Sequence, residues 1–245
     1  MPQGQCHAFI LGSSILNEQD KLVHLFTLER GNVKAVAPGA CKSRNRFGSI
    51  LELLTEGSFV FYWNQEKELI TLQKGDIIHS HFNTVSSPGN IFYFYLVAEI
   101  LLKLIPPQQK ETRAYKLVKA LLDHRENGVS MPQATLYFLI WMLRIEGMMF
   151  RPDTCANCNT SPLADAWVKT NYRGLLCRQC RTNEKTRLTP DELTYIHATE
   201  RNNPAHCDNW KEKIDIPKLI RLFVQKIQHH SELTLTCPRY LPEFR

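Results

Sequence analysis

The chain has 245 residues, 43% hydrophobic and 22% charged, with a net charge of +6, the profile of an ordinary soluble globular protein with room for one large domain or two smaller ones. Its most apolar stretch, Ile91 to Ile105, contains Glu99 and Lys103 and stops at Pro106-Pro107, so it is too short and too charged to span a bilayer. The modest positive balance points to nucleic acid only where the charge clusters.

From Cys6 to about Ile78 the pattern is one of short strands. His7 to Leu11 and Leu22 to Leu28 are brief apolar runs, and Glu29-Arg30-Gly31-Asn32 turns into Val33 to Ala37 as a hairpin. Phe59 to Trp63 and Leu69 to Leu72 are rich in aromatic and β-branched residues, and they flank a polar loop at Asn64 to Glu68. About five short strands in this space predict a small closed barrel.

After Ser86-Ser87-Pro88-Gly89 the apolar period changes from two to 3.6. Val97, Ile100, Leu101, Leu104 and Ile105 share one helical face. Leu117, Val118, Leu121 and Leu122 repeat the spacing up to Asn127-Gly128, and Leu136, Leu139, Ile140 and Leu143 repeat it before Gly147. Thr189-Pro190-Asp191-Glu192 combines an N-cap, a proline at the first helical position and a capping-box glutamate. A last amphipathic helix carries Leu219, Ile220, Phe223, Val224 and Ile227, with His229-His230 in its final turn. The predicted fold is therefore α+β and multidomain: a barrel over residues 1–80, then a helical domain over 81–245 with a cysteine ribbon at 151–185.

That ribbon reads Cys155-Ala-Asn-Cys158, eighteen residues, then Cys177-Arg-Gln-Cys180. Two residues between paired cysteines let both thiolates face one ion, so the two turns supply a closed, tetrahedral and structural Zn²⁺ site for one ion. The alternatives are two disulfides or coincidental buried thiols. Cys6, Cys41, Cys207 and Cys237 are scattered, and the opening MPQGQCHAFILG has neither a basic n-region nor a long apolar h-region. A reducing, cytoplasmic setting is expected.

Between Arg30 and Leu51 stand five basic residues (Arg30, Lys34, Lys42, Arg44 and Arg46) and no acid. The densest part also carries Gly and Ser and reads as a loop leaving a strand. Such a loop can follow phosphates without reading sequence; the bland alternative is a solvated surface loop. A second cluster, Lys169, Arg173, Arg178, Arg181, Lys185 and Arg187, surrounds the cysteines. It either neutralises a dianionic tetrathiolate or contacts nucleic acid. Trp167 and Tyr172 are better read as ribbon packing than as base-stacking rings. No GxxxxGK[ST] loop, GxSxG elbow or HExxH helix occurs, nor does a carboxylate pair for two-metal chemistry. A catalytic role is not expected.

The order of parts resembles the bacterial recombination mediator family RecO over almost the whole chain. The stretch Leu16 to Ala40 is similar to that family's opening. Leu143-Arg144-Ile-Glu-Gly147, the cysteine pairs and Gly174-Leu-Leu-Cys177 follow its run into a zinc module. The resemblance implies a non-enzymatic protein with an OB-fold barrel that binds single- and double-stranded DNA and anneals complementary strands. It implies work with RecR to load RecA, indirectly, onto strands coated by single-strand-binding protein, whose acidic C-terminal tail is a partner. A cytoplasmic, nucleoid-associated location follows. Carried over, the DNA role falls on Lys42, Arg44 and Arg46, with Arg30 and Lys34 beside them, and the metal role on Cys155, Cys158, Cys177 and Cys180. The family usually carries basic residues where this chain has Pro38 and Ala40-Cys41, so its loop is thinner in charge. Two rival readings are a zinc-ribbon interaction scaffold without DNA affinity and an RNA-handling OB-fold protein.

Overall fold

The computed structural model describes residues 3–42, 47–63, 69–126, 128–161, 164–202 and 212–244. The polar loop predicted at residues 64–68 lies outside them. Two compact units divide the chain, Met1–Lys119 and Ala120–Arg245.

Unit 1 is built on five strands, β1 (Gln3–Ile15), β2 (Lys21–Thr27), β3 (Gly31–Ala37), β4 (Glu56–Trp63) and β5 (Leu69–His79). The order β1-β2-β3-β5-β4 returns to β1, which pairs antiparallel with both β2 and β4. Closure depends on one parallel contact, Lys34 to Val36 of β3 against Leu69 to Thr71 of β5. Register shifts at Ile10/Gly12 and Val60/Phe61 supply the local bends that a closing sheet needs. Alternate residues line the inside: Cys6, Ala8 and Ile10 of β1, Val23 and Leu25 of β2, Phe59 and Phe61 of β4. Phe47, Ile50 and Leu51, from the short turn Gly48–Leu51 and the residue before it, join this core. Gly57 and Gly75 leave space for it, since a Cβ on either would stand 3.0 Å or less from Phe59 or Ile50 atoms. Burial, then the Glu29 charge, pushes the Cys6 thiol up to about 12.

The sheet's outer face carries apolar residues as well. Phe9 and Phe26 are buried, and their rings lie 4.8 and 6.0 Å from that of Tyr115. Tyr115 belongs to α2 (Thr112–Glu126), which follows α1 (Ile91–Leu104). The Tyr115 hydroxyl donates to the buried Glu56 carboxylate at 3.2 Å, and Lys119 Nζ donates to the same group at 3.1 Å. Burial pushes the Tyr115 phenol up, and the Glu56 charge adds to it. At the foot of α1, Asn32 Nδ2 donates to the carbonyls of Leu101 (2.8 Å), which also accepts from the Ile105 N–H, and of Ile105 (2.7 Å), beyond the last turn. Gly31 is fixed beside it: its φ is +65°, and an added Cβ would stand 1.9 Å from the Gln109 carbonyl oxygen.

In unit 2, α3 (Met131–Ile145) and α5 (Ile216–Ser231) pack together, and α4 (Pro190–Ala198) precedes α5. The predicted capping box is present: Glu192 N–H donates to Thr189 Oγ1 (3.2 Å) and Thr189 N–H donates to Glu192 Oε2 (2.8 Å). Lys218 Nζ of α5 reaches the same carboxylate at 2.6 Å. Arg144 and Trp141 of α3 donate to the Ile196 and Thr199 carbonyls at 2.6 and 3.1 Å, which fastens the end of α4. A three-stranded ribbon of order β7-β6-β8 sits in the chain between α3 and α4: β6 (Ala166–Val168), β7 (Leu175–Leu176) and β8 (Arg187–Leu188). Among the described residues no helix is long and apolar enough to cross a membrane.

Replacing Glu56 by Ala should destabilise unit 1 by about 1–3 kcal/mol, because a buried hydroxyl and an ammonium are left without their shared acceptor. Denaturant-dependent hydrogen exchange of the β1–β5 amides reads this, and unchanged protection would remove Glu56 from the framework.

Candidate nucleic-acid interface and four-thiol centre

The basic residues singled out on unit 1 fall along β3. Arg30 precedes its first residue, Lys34 points outward from its middle, and Lys42 follows its end; all three are exposed. Arg44 and Arg46 lie outside the described residues. Six strand steps of ~3.3 Å put roughly 20 Å between the ends of β3, so the described cations form a strip rather than a knot. The Arg30 guanidinium stacks 4.5 Å over the Trp63 ring. His24 pairs across from Lys34, and burial followed by the Lys34 charge holds its imidazole below the usual histidine range.

The start of the basic loop is fastened to the β1–β2 turn. Gly39 N–H donates to Asp20 Oδ1 and Cys41 N–H to the Gln19 carbonyl, both at 2.9 Å. The Gly39 and Asn17 hydrogen bonds hold the Asp20 carboxyl below the ordinary aspartate range. Beside the loop lies a depression of about 590 Å³ lined in part by Lys21, Ile15 and Phe47. Lys21 adds a cation that the count from Arg30 to Leu51 does not include.

The four cysteines come together. The Sγ atoms of Cys155, Cys158, Cys177 and Cys180 all lie within 4.8 Å of one another, and no disulfide joins them. Cys158 and Cys177 are 3.7 Å apart at sulfur, close to the roughly 3.8 Å edge of a tetrahedron with Zn–S bonds of ~2.3 Å. Each CxxC is folded by its own backbone: Asn159 N–H donates to the Cys155 carbonyl (3.0 Å) and Cys180 N–H to that of Cys177 (3.2 Å). Burial raises the Cys155 thiol, but the amides of Cys158, Cys177 and Asn157 outweigh it and bring it down to about 6. Thr160 lowers Cys158, whereas hydrogen bonds with Cys158 and Cys177 push Cys180 up to about 12. Four thiolates this close repel one another unless a cation sits among them, so the donor set fits a soft divalent metal.

A buried lysine holds the ribbon against the helices. Lys226 of α5 is fully buried and donates its ammonium to the Tyr172 carbonyl, 5.1 Å from the Phe150 ring centroid. Burial brings it down to about 8. The Tyr172 hydroxyl reaches Gln225 at 3.3 Å, and Trp167 is buried, so both rings serve packing as the sequence suggests.

These parts have counterparts in known proteins. The profile described as "Recombination protein O N terminal" matches residues 1–81, and "Recombination protein O C terminal" matches residues 86–233. The chain belongs to the RecO family. A DNA repair protein RecO of Koribacter versatilis is 32% identical over 192 residues, 78% of this chain and 75% of that one. Relatives of the same name from Anaeromyxobacter dehalogenans (30% over 182 residues, 74% and 71% covered) and Listeria monocytogenes (28% over 185 residues, 75% and 71%) agree. In this RecO-family chain the two profile matches meet where the strands of β1–β5 give way to helices.

Two outcomes follow for the RecO-family ribbon. A strong chelator, or Cys177→Ser, should release one bound zinc per chain and abolish amide protection over residues 155–188, whereas Cys41→Ser should leave both intact. Metal analysis and hydrogen exchange check this; an undisturbed ribbon in metal-free protein would disprove a structural ion. The second concerns Lys226, whose folded value of about 8 lies below the ordinary lysine range. The unfolded chain then holds the extra proton between the two values, so stability should rise from about pH 8 to pH 10 by up to about 3 kcal/mol. Lys226→Met should lack that rise, as read from denaturant midpoints across the same pH range.

Proposed function

We propose that this chain is a recombination mediator in DNA repair, a DNA-binding protein that acts without a catalytic centre. The observation that carries the reading is the strip of exposed cations that flanks and includes β3, displayed on a closed five-stranded sheet. The strand order and the parallel β3–β5 contact support an OB-fold barrel, a fold that holds nucleic acid on its outer surface. Within residues 1–80 the proposed DNA contacts are Arg30, Lys34, Lys42, Arg44 and Arg46. They neutralise phosphates on single- and double-stranded DNA while leaving base edges free, which is what annealing of complementary strands requires. The Arg30–Trp63 stack offers an aromatic and guanidinium platform next to the strip. A structural zinc ion at Cys155, Cys158, Cys177 and Cys180 holds the ribbon.

Membership of the RecO family, with relatives named as DNA repair proteins, supports the cellular role. In that role the chain works beside RecR in the cytoplasm and at the nucleoid, on strands coated by single-strand-binding protein, whose acidic C-terminal tail it engages. It there helps load RecA.

The test is annealing of complementary oligonucleotides precoated with the cognate single-strand-binding protein, at several salt concentrations. Lys42→Ala/Arg44→Ala/Arg46→Ala should slow annealing at least tenfold. It should also flatten the dependence of log K on log salt by about 2, roughly 0.7 for each single-strand phosphate that is no longer neutralised. A wild-type chain without DNA affinity would leave an interaction scaffold, and preference for structured RNA would favour an RNA-handling protein.

A further inference from the structure

One face of the ribbon carries a depression of about 420 Å³, lined by Asp165, Trp167, Arg178, Arg181 and Arg187. Its volume falls within the ~300–1,000 Å³ of small-ligand sites. Three guanidiniums face one carboxylate there, and each has a different setting. Arg187 donates through Nε (3.1 Å) and Nη2 (2.8 Å) to Asp165, which fixes its fork and balances its charge. Arg181 lies 4.6 Å over the Trp167 ring, a ring buried to 6% exposure, so the indole supports the guanidinium from below. Arg178 is exposed at the rim, and among the described residues neither it nor Arg181 has a carboxylate at ion-pair distance.

Direct hydrogen bonding to the four thiols does not account for this arrangement. The hydrogen bonds that reach the sulfurs from outside the four cysteine side chains, among the described residues, come from the amides of Asn157, Cys158, Thr160 and Cys177 and from the Thr160 hydroxyl, and none from an arginine. The arginines instead converge on the depression. A flat cation held on an indole, with a second cation beside it, is the set that takes a nucleotide: the base stacks on the guanidinium plane and the phosphate meets the charge.

We propose that this depression is a second single-stranded-DNA site, in which a base stacks on Arg181 and the adjoining phosphate is held by Arg178 and Arg181, with Arg187 and Asp165 as its fixed wall. The inference rests on the mediator reading and deepens it. Annealing needs two strands, and the ribbon site holds one while the β3 strip holds the other.

The experiment uses the full zinc-loaded chain. Arg178→Ala/Arg181→Ala should retain its zinc and bind a labelled oligothymidine no more than about threefold more weakly. It should slow annealing at least tenfold and flatten the salt dependence of the annealing rate, rather than that of oligothymidine binding, by about 1.4, two phosphates at roughly 0.7 each. Arg178→Lys/Arg181→Lys should restore the slope. Photocrosslinking of 5-iododeoxyuridine oligonucleotides to the unmodified chain should label peptides within residues 164–187, in addition to peptides of unit 1. Annealing and slope unchanged in the alanine variant, or crosslinks confined to unit 1, would overturn the ribbon site and leave the mediator reading standing. A wild-type chain that binds no oligonucleotide would overturn both.

Discussion

Three residues of parallel pairing, Lys34 to Val36 against Leu69 to Thr71, turn a five-stranded sheet into a closed one. Without that contact β3 and β5 would each present unpaired backbone, the condition that invites strand addition by other chains. The same strand also holds α1, through Asn32 and the helix-end carbonyls of Leu101 and Ile105, and it meets the Gln109 carbonyl at Gly31, where no side chain fits. Closure, helix attachment and the display of Lys34 thus fall on the seven residues of β3. Lys34 is held in register by backbone pairing on both sides, so its outward position is set by the pleat, while Arg30 and Lys42 flank the strand.

The ribbon is stabilised differently. Its strands have three, two and two residues, too few to bury a core, and its organising element is the four-thiol centre. The attachment to α5 is polar at its heart, with the Lys226 ammonium against the Tyr172 carbonyl. A buried charge of this kind weakens the fold on balance but fixes one arrangement of groups, because a shifted ribbon would leave the ammonium without its acceptor. Arg181 on Trp167 and Arg187 on Asp165 give the outer face the same definite geometry.

Much of this is legible in the chain. Aromatic and β-branched runs locate all five strands of the sheet, helical stripes locate α1, α2, α3 and α5, and Thr189 with Glu192 announces α4. The cysteine spacing brings the right four thiols together. What local pattern does not show is non-local. The β3–β5 pairing joins segments more than thirty residues apart, and β5 runs on past Leu72 to His79 through its pairing with β4, an extension that Lys74, Gly75 and Asp76 hide from the apolar pattern. Lys226 passes for an ordinary polar residue on an amphipathic helix. Yet it stands seven after Leu219 and three after Phe223, on the apolar face, and that offset is the available signal. Glu56 gives no signal, since its partners Tyr115 and Lys119 come from a distant helix. Of the loop cations, Arg44 and Arg46 lie outside the described residues, while Lys21 escapes the sequence pattern because it precedes the acid-free window.

The thiols of this chain are sorted by chemistry as well as by position. Reactivity follows the thiolate fraction, and at about 12 the Cys6 thiol is ionised in only about one molecule in 10⁵ at neutral pH. Thiolates engaged by a metal are shielded from electrophiles. Of the described cysteines outside the four-thiol centre, Cys6 is buried, Cys237 is half-buried and Cys41 is exposed. Among the described cysteines, alkylating reagents and oxidants therefore meet Cys41 first, one residue before Lys42, so a dye or spin label placed there would report on the proposed DNA strip without touching the sheet's interior.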